Sequence, residues 1–146
     1  MPAMKLFQRH WAWISASTAL LVASVVVLVA ILIRNAVAGQ SGAYAEALRT
    51  GDFNAAYDML CDQTHQQLAR EDFVQPQVED PQRIASYEVQ SVSFPSMLTG
   101  RPVARVWAQD TSHNEYHYEW TFTLENGHWR MCGGKLAEEG VEVVQP

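Results

Sequence analysis

Acidic residues are absent from the first 45 positions of this 146-residue sequence, and charge of either sign is absent from residues 11–33. A helix over residues 11–33 would be roughly 35 Å long, which is enough to cross the apolar core of a bilayer, about 30 Å thick. The segment is apolar on every side, and the rest of the chain is too short to enclose it as a core helix. We therefore predict a transmembrane helix at residues 11–33.

Basic residues are few, but they favour one side of this helix. Lys5 and Arg9 precede it, and only Arg34 lies close behind it. The positive-inside rule then predicts a single-pass protein of the cell membrane with a cytoplasmic N-terminus and an extracytoplasmic C-terminal domain. The Ala-x-Ala pattern at residues 36–38 leaves a cleaved signal peptide open. We favour the uncleaved anchor, because the apolar run exceeds the about 7–15 residues of a signal core.

Basic charge is also scarce in the remainder of the chain. Seven basic residues and all sixteen acidic ones lie from residue 39 onward, which gives that part a formal net charge of −9. A domain of this charge is repelled by nucleic acid and by anionic lipid headgroups. We expect no nucleic-acid partner.

Cysteine is nearly absent, since the chain has only Cys61 and Cys132. No Cys-x-x-Cys pair and no Cys/His spacing typical of a zinc site occurs. The two residues are therefore either unrelated buried thiols or, outside the cytoplasm, one disulfide. A reactive thiol is disfavoured at Cys61, because the neighbouring Asp62 opposes its ionisation.

Three short helices are predicted after a flexible glycine-containing joint at residues 39–42. The first ends at Gly51, because glycine readily adopts the left-handed conformation that terminates helices. Asp52 caps the second, whose apolar residues recur at helical spacing. Thr64 starts the third as part of a capping box. Two prolines in residues 75–82 then predict a loop.

Alternating apolar residues predict strands from residue 84 onward. The first strand covers residues 84–94, and a change of phase at Gln90-Ser91 predicts a β-bulge within it. The second covers residues 103–109. Their order after the helices predicts an α+β domain with helices on one face of an antiparallel sheet.

The clearest strand pair is a hairpin near the C-terminus. Aromatic and apolar residues share one face of the strand at residues 116–124, and Asn126-Gly127 is a strong turn signal. The last strand is predicted to end at the glycines at residues 133–134. This register turns Cys132 away from the aromatic face, so either the strand twists at Gly133 or the bridge to the helices is absent.

The predicted organisation has five parts. They are a cytoplasmic N-terminus, the transmembrane helix, a linker, the α+β domain and an acidic tail, at residues 1–10, 11–33, 34–42, 43–135 and 136–146.

Three short motifs resemble a known family. They are ALRTGD at residues 47–52, AAY and LC within residues 55–61, and GHWRMC at residues 127–132. Residues 40–133 thereby resemble small membrane-anchored extracytoplasmic proteins of actinobacteria with an NTF2-like (cystatin-like) domain. The resemblance implies a cone-like domain with about three helices on the concave side of a curved sheet of about four strands. It also implies that Cys61 and Cys132 pair.

One run of residues has metal-ligand chemistry. Histidine and glutamate alternate at His113, Glu115, His117 and Glu119, and such side chains on one strand face can bind a metal. A solvated sheet face explains the same alternation. We expect no metal and no other cofactor.

The function is predicted less closely than the fold, because NTF2-like domains include isomerases, dehydratases, ligand binders and interaction modules. An isomerase needs a carboxylate made basic by burial, and the core-facing positions offer none, so no catalytic residue is expected. Tyr57, Tyr118 and Trp120 are expected in the core, where their polar tips would rim a small apolar pocket if the cone is not filled.

Two functions follow from these alternatives. A filled cone favours a non-enzymatic interaction or accessory module that contacts an envelope protein and the lipid bilayer. An open pocket with a polar group at its base favours a protein that binds a small apolar ligand, or an isomerase-like enzyme.

Overall fold

The computed structural model describes residues 3–79, 84–95 and 100–137. Four helices precede a four-stranded antiparallel sheet, so the predicted α+β layout is confirmed. The elements are α1 (Ala3–Thr50), α2 (Phe53–Asp58), α3 (Asp62–Gln67), α4 (Arg70–Glu79), β1 (Ile84–Ser93), β2 (Val103–Asp110), β3 (Glu115–Glu125) and β4 (His128–Leu136). The chain divides after Asn35 into two compact units, and each is described by itself.

The first unit is the N-terminal part of α1. Every side chain from residue 17 to residue 32 is exposed, although nearly all of them are apolar. Leu20, for example, keeps 69% of its surface accessible. This helix is long and apolar enough to cross a membrane. The predicted apolar N-terminal helix is therefore present.

The second unit begins inside α1, and here the prediction of a flexible joint was wrong. Residues 39–42 are helical, and Val37, Ser41 and Ala45, one turn apart, are fully buried. Burial of this face outweighs the cost of glycine in a helix, which is about 1 kcal/mol per residue. Gly51, with a φ of 76°, ends α1 as predicted, and the neighbouring amide of Asp52 donates to the Ala47 carbonyl at 2.9 Å.

The second helix begins as predicted but is shorter. The Asp52 carboxylate accepts a hydrogen bond from the Ala55 amide at 3.1 Å, which confirms the cap. α2 then ends at Asp58, because the chain leaves the helix to form a parallel bridge between Leu60 and Met131 of β4. Burial of Leu60 accompanies this pairing.

The start of the third helix and the following loop were predicted wrongly. α3 begins at Asp62 rather than Thr64, and its first amide is satisfied by the Glu125 carboxylate of β3 at 3.0 Å. Residues 75–79 belong to α4, which contains Pro76. This helix is largely exposed, so water can satisfy the carbonyl that proline leaves unpaired. The remainder of the predicted loop, residues 80–82, lies outside the described residues.

The strands agree well with the prediction. The register of β1 against β2 shifts between Val89 and Ser91, which confirms the bulge. In the hairpin Leu124 pairs with Trp129, and the turn residues Asn126 and Gly127 both have positive φ. This is the register that the two-residue turn predicts.

The last strand passes through its two glycines instead of ending there. Phe122 pairs with Met131 and Thr121 with Gly133, so Cys132 is an extra residue in β4. This β-bulge, which the sequence did not predict, changes the direction of Cys132 and allows its disulfide with Cys61. Leu136, assigned to the acidic tail, is part of β4, and the tail beyond residue 137 lies outside the described residues.

Candidate ligand-binding cavity

A cavity of about 450 Å³ lies within the second unit. Its wall includes residues of α1 and α4, the end of β2, and the aromatic face of β3. Leu48 of α1, Gln77 of α4 and Tyr118 of β3 mark the three sides. Its volume lies within the range of small-molecule sites in proteins, roughly 300–1,000 Å³.

A row of aromatic rings on β3 forms one wall. Tyr116 and Tyr118 have ring centroids 6.1 Å apart and planes 26° from parallel, and Tyr118 and Trp120 have values of 5.9 Å and 27°. On the neighbouring strand, Ala108 pairs with Tyr116 and Ala104 with Trp120. These small side chains leave room for the large rings beside them.

Helix α1 holds the buried end of this row. The Tyr44 ring packs edge-on against Trp120, with centroids 5.1 Å apart, and the two residues are only 4% and 3% exposed. Burial raises the pKa of the Tyr44 hydroxyl, so this phenol stays neutral. Tyr116 and Tyr118 are only partly buried, and they line the cavity where a ligand can reach them.

A buried carboxylate, Asp110, stands at the end of β2 where that strand meets the cavity. It is 3% exposed and lines the cavity wall. Its Oδ1 accepts hydrogen bonds from the backbone amides of Ser112 (2.8 Å) and Asn114 (2.9 Å). Its Oδ2 accepts from the Asn114 side-chain amide (2.9 Å) and from the Tyr116 hydroxyl (3.2 Å). Asp110 therefore fastens the turn between β2 and β3 to the aromatic row.

These donors determine the chemistry of Asp110. The Asn114 side-chain amide, followed by the backbone amides and the Tyr116 hydroxyl, holds the pKa of the carboxyl below its usual value against the opposing effect of burial. Four donors also occupy the four lone-pair positions of the carboxylate. A carboxylate in this state stays ionised and is a weak general base.

The presence of Asp110 corrects one prediction. No carboxylate was expected on the core-facing positions, yet Asp110 continues the buried series Ala104, Val106, Ala108 of β2. The prediction ended this strand at Gln109. Asp110 follows Ala108 at the same two-residue spacing, and this spacing is the sequence signal that places Asp110 on the buried face.

The three aromatic residues proposed for a pocket are not all brought together. Tyr118 and Trp120 line the cavity, but Tyr57 does not belong to its wall. The Tyr57 hydroxyl donates to the Leu68 carbonyl at 2.8 Å, and its ring lies 4.5 Å from the Arg70 guanidinium carbon. Tyr57 thus holds α2 against the segment around α3 and α4.

The alternating His/Glu run is not one strand face. His113 lies in the turn before β3, with a φ of 66°. Glu119, in the strand, binds the Arg105 Nε and the Lys135 Nζ at 3.1 Å each. The Lys135 hydrogen bond, followed by that of Arg105, lowers the pKa of Glu119. Glu119 is therefore the centre of an ion-pair group on the other face of the sheet.

Cys61 and Cys132 lie with Glu125 in a second group of possible ligand atoms, all within 4.8 Å of one another. Both sulfur atoms are joined in the disulfide, as the resemblance implied. The Glu125 carboxylate accepts from the Asp62 amide. In this oxidised state the group is a structural link between α3 and the hairpin.

Comparison with protein-family models and with curated protein sequences found no match for this chain. The resemblance to NTF2-like domains therefore stays a prediction. The cavity and its wall provide the basis on which a function can be argued.

Proposed function

We propose that the protein is a membrane-anchored, extracytoplasmic module that binds a small, largely apolar ligand without converting it. The observation that carries this proposal is the cavity of about 450 Å³ with the aromatic row along one wall. Large aromatic surfaces beside a few fixed polar groups are typical of small-molecule sites. The open pocket with a polar group is the alternative that the sequence left open.

Three observations support the location. The first unit is an exposed apolar helix of sufficient length to span a membrane. Lys5 and Arg9 lie on the N-terminal side of its apolar segment, which favours a cytoplasmic N-terminus. The Cys61–Cys132 disulfide is typical of proteins outside the cytoplasm. Together they favour a cell-membrane protein whose NTF2-like domain faces the cell envelope.

Binding is favoured over catalysis by the state of Asp110. It is the sole carboxylate among the described residues of the cavity wall. A proton-abstracting base needs a raised pKa and a free lone pair, whereas Asp110 has a lowered pKa and four donors. Its role in this proposal is to hold the wall in place and to supply charge.

A second candidate, an interaction module for an envelope protein, is favoured by β1. This ten-residue strand is at the edge of the sheet, and among the described ranges no segment pairs with its outer side. Such an edge can accept a strand from a partner. The two functions are compatible, because the unpaired outer edge of β1 is separated from the aromatic row of β3 by β2, although Ile84 of β1 also lines the cavity.

Native mass spectrometry of the full chain, extracted from its own membranes in a mild detergent, tests the binding function. We expect a small-molecule adduct on the natural protein. Leu136→Trp enlarges a side chain at the cavity wall and should remove the adduct. Leu124→Trp is the matched control, because Leu124 is equally exposed at 56% but is not part of the wall. An adduct-free natural protein, or an adduct that survives Leu136→Trp, would contradict the proposal.

A further inference from the structure

We infer that Cys61, Cys132 and Glu125 form a zinc site when the disulfide is reduced, so that this group alternates between a covalent bridge and a metal centre. In the oxidised protein both sulfur atoms belong to the bridge, and reduction makes them ligands beside the Glu125 carboxylate. The cysteines are 71 positions apart in sequence, so no zinc spacing is visible there and only folding brings them together. The inference is independent of the cavity and goes beyond the proposed binding function.

The three side chains have the chemistry and the spacing that zinc requires. The two Sγ atoms and a carboxylate oxygen all lie within 4.8 Å of one another. Tetrahedral Zn²⁺ binds sulfur at about 2.3 Å and carboxylate oxygen at about 2.0–2.2 Å, which places its ligand atoms roughly 3.5–3.8 Å apart. The cysteine Cα atoms are separated by 5.1 Å, so rotation of the side chains can reach this spacing without movement of the backbone.

The backbone around the site is fixed by hydrogen bonds that reduction does not remove. The Cys61 amide donates to the Met131 carbonyl at 2.9 Å, and the Met131 amide donates to the Met59 carbonyl at 3.0 Å. The Glu125 carboxylate accepts from the Asp62 amide at 3.0 Å through Oε2. A carboxylate has two oxygens, so this bond orients Glu125 and leaves it able to bind a metal. Ligands that are already held in place lose less freedom when the metal binds.

The charge of the group favours a cation once the bridge is open. Negative charge nearby disfavours a thiolate, and the Glu125 carboxylate lies beside both sulfur atoms. A divalent cation offsets the charge of the carboxylate and of both thiolates, and it displaces the two thiol protons into solvent. Thiolate ligands select Zn²⁺ over the harder Mg²⁺ and Ca²⁺.

Thr64 of α3 supports the sulfur ligands from outside the group. Its Oγ1 lies 3.5 Å from Cys61 Sγ and donates to the Cys132 carbonyl at 3.4 Å. In the reduced protein this hydroxyl is within reach of the Cys61 thiolate as a hydrogen-bond donor. Hydrogen bonds of this kind orient metal ligands.

The bridge can be reduced from the Cys132 side. Cys61 is fully buried, whereas Cys132 and Glu125 are half-buried. A thiolate of a dithiol reductant attacks Cys132 Sγ, which forms a mixed disulfide and releases Cys61 as a thiolate. The second thiol of the reductant then closes the reductant's own disulfide and releases Cys132. Zinc replaces the protons of the two thiols, and water from the exposed side supplies the fourth ligand.

Zinc titration of the full chain in a mild detergent tests the inference. A phosphine reductant opens the bridge without adding a thiol that competes for zinc, and native mass spectrometry counts the bound metal. We expect one zinc ion on the reduced chain, with two protons lost on binding, and none on the oxidised chain. Zinc should also raise the urea midpoint of the reduced chain alone, because it binds the folded state.

Glu125→Gln separates the metal ligand from its structural hydrogen bond. The glutamine side-chain oxygen can still accept from the Asp62 amide, but it is neutral and a weaker zinc ligand. We expect zinc affinity of the reduced variant to fall at least about tenfold, since even residues that only orient ligands have effects of this size. Glu115→Gln, on the same strand but outside the group, is the matched control and should keep its affinity.

Three results would overturn the inference: no zinc on the reduced chain, equal binding to the oxidised chain, or unchanged affinity in Glu125→Gln. A reduced chain that unfolds and does not refold with zinc would overturn it as well, because the site needs both cysteines in their folded positions. Circular dichroism of each sample reports the fold. The cavity is tested separately by Leu136→Trp, so failure of the zinc site leaves the binding function unaffected.

Discussion

Loss of the Cys61–Cys132 bridge should lower the free energy of unfolding of the second unit by about 4 kcal/mol. The bridge joins residues 71 positions apart, with Cα atoms separated by 5.1 Å. A cross-link between residues so far apart in sequence lowers the entropy of the unfolded chain. The chain-entropy model gives about 4 kcal/mol for a loop of this length. It is a large share of the about 5–15 kcal/mol that stabilises a typical domain.

Reduction of the disulfide should lower the stability of the fold without breaking the contact between the segment at Cys61 and β4. The Cys61 amide donates to the Met131 carbonyl at 2.9 Å, and the Met131 amide donates to the Met59 carbonyl at 3.0 Å. These hydrogen bonds do not depend on the sulfur–sulfur bond. We therefore expect the reduced chain to remain folded under native conditions, with its lost stability visible only in unfolding.

Urea unfolding of the full chain in mild detergent, followed by tryptophan fluorescence, measures this effect. The free energy of unfolding typically falls by about 1–3 kcal/mol per molar urea, so this loss corresponds to a fall in the midpoint of roughly 1.3–4 M. Cys61→Ala combined with Cys132→Ala should destabilise further, because Cys61 is fully buried and loses packing as well. An unchanged midpoint, with both thiols shown by labelling to be reduced, would refute the loop-closure reasoning.

Two further predictions concern the wall of the cavity. A Cβ at Gly134 would lie 2.9 Å from Trp120 Cδ1, so Gly134→Ala should cost about 1–3 kcal/mol in urea unfolding. A Cβ at Gly133 would meet nothing within 4 Å, so Gly133→Ala is the control. Equal losses of unfolding free energy in the two variants would contradict a clash with Trp120. The lowered pKa of Asp110 stabilises the fold above its unfolded pKa of about 3.9, and this contribution disappears as pH falls through the folded value. Asn114→Ala should therefore destabilise at pH 6 and much less at pH 2.5, whereas a pH-independent difference would exclude this origin.

Most of the sheet could be predicted because its signals are local. Alternation identifies a strand and its buried face within a few residues, and Asn126-Gly127 fixes the register of the hairpin. The caps at Gly51 and Asp52 are local in the same sense. The helical residues 39–42 could not be predicted this way, because contacts far along the chain bury Val37 and Ser41 and outweigh the preference of glycine.

The candidate site could be predicted only in part. Tyr118 and Trp120 were identified because strand alternation places them on the core face. Tyr57 is also an aromatic residue expected in the core, but in α2 its ring packs against His65 of α3, with centroids 4.6 Å apart, so residue type alone does not separate it from the wall. Asp110 was missed because the prediction ended β2 one residue early. The volume of the cavity depends on how the end of α1 and α4 meet the sheet, which no local pattern specifies.

The bulge at Cys132 connects the disulfide to the cavity. Without an extra residue in β4, Lys135 would pair with Tyr118 and bring its charge to the aromatic face. The shift pairs Lys135 with Glu119 instead, and their ion pair forms on the other face at 3.1 Å. It also pairs Leu136 with Tyr118 at the cavity wall. One inserted residue thus permits the bridge to Cys61 and places the Lys135 ammonium beside Glu119, on the face of the sheet opposite the aromatic row.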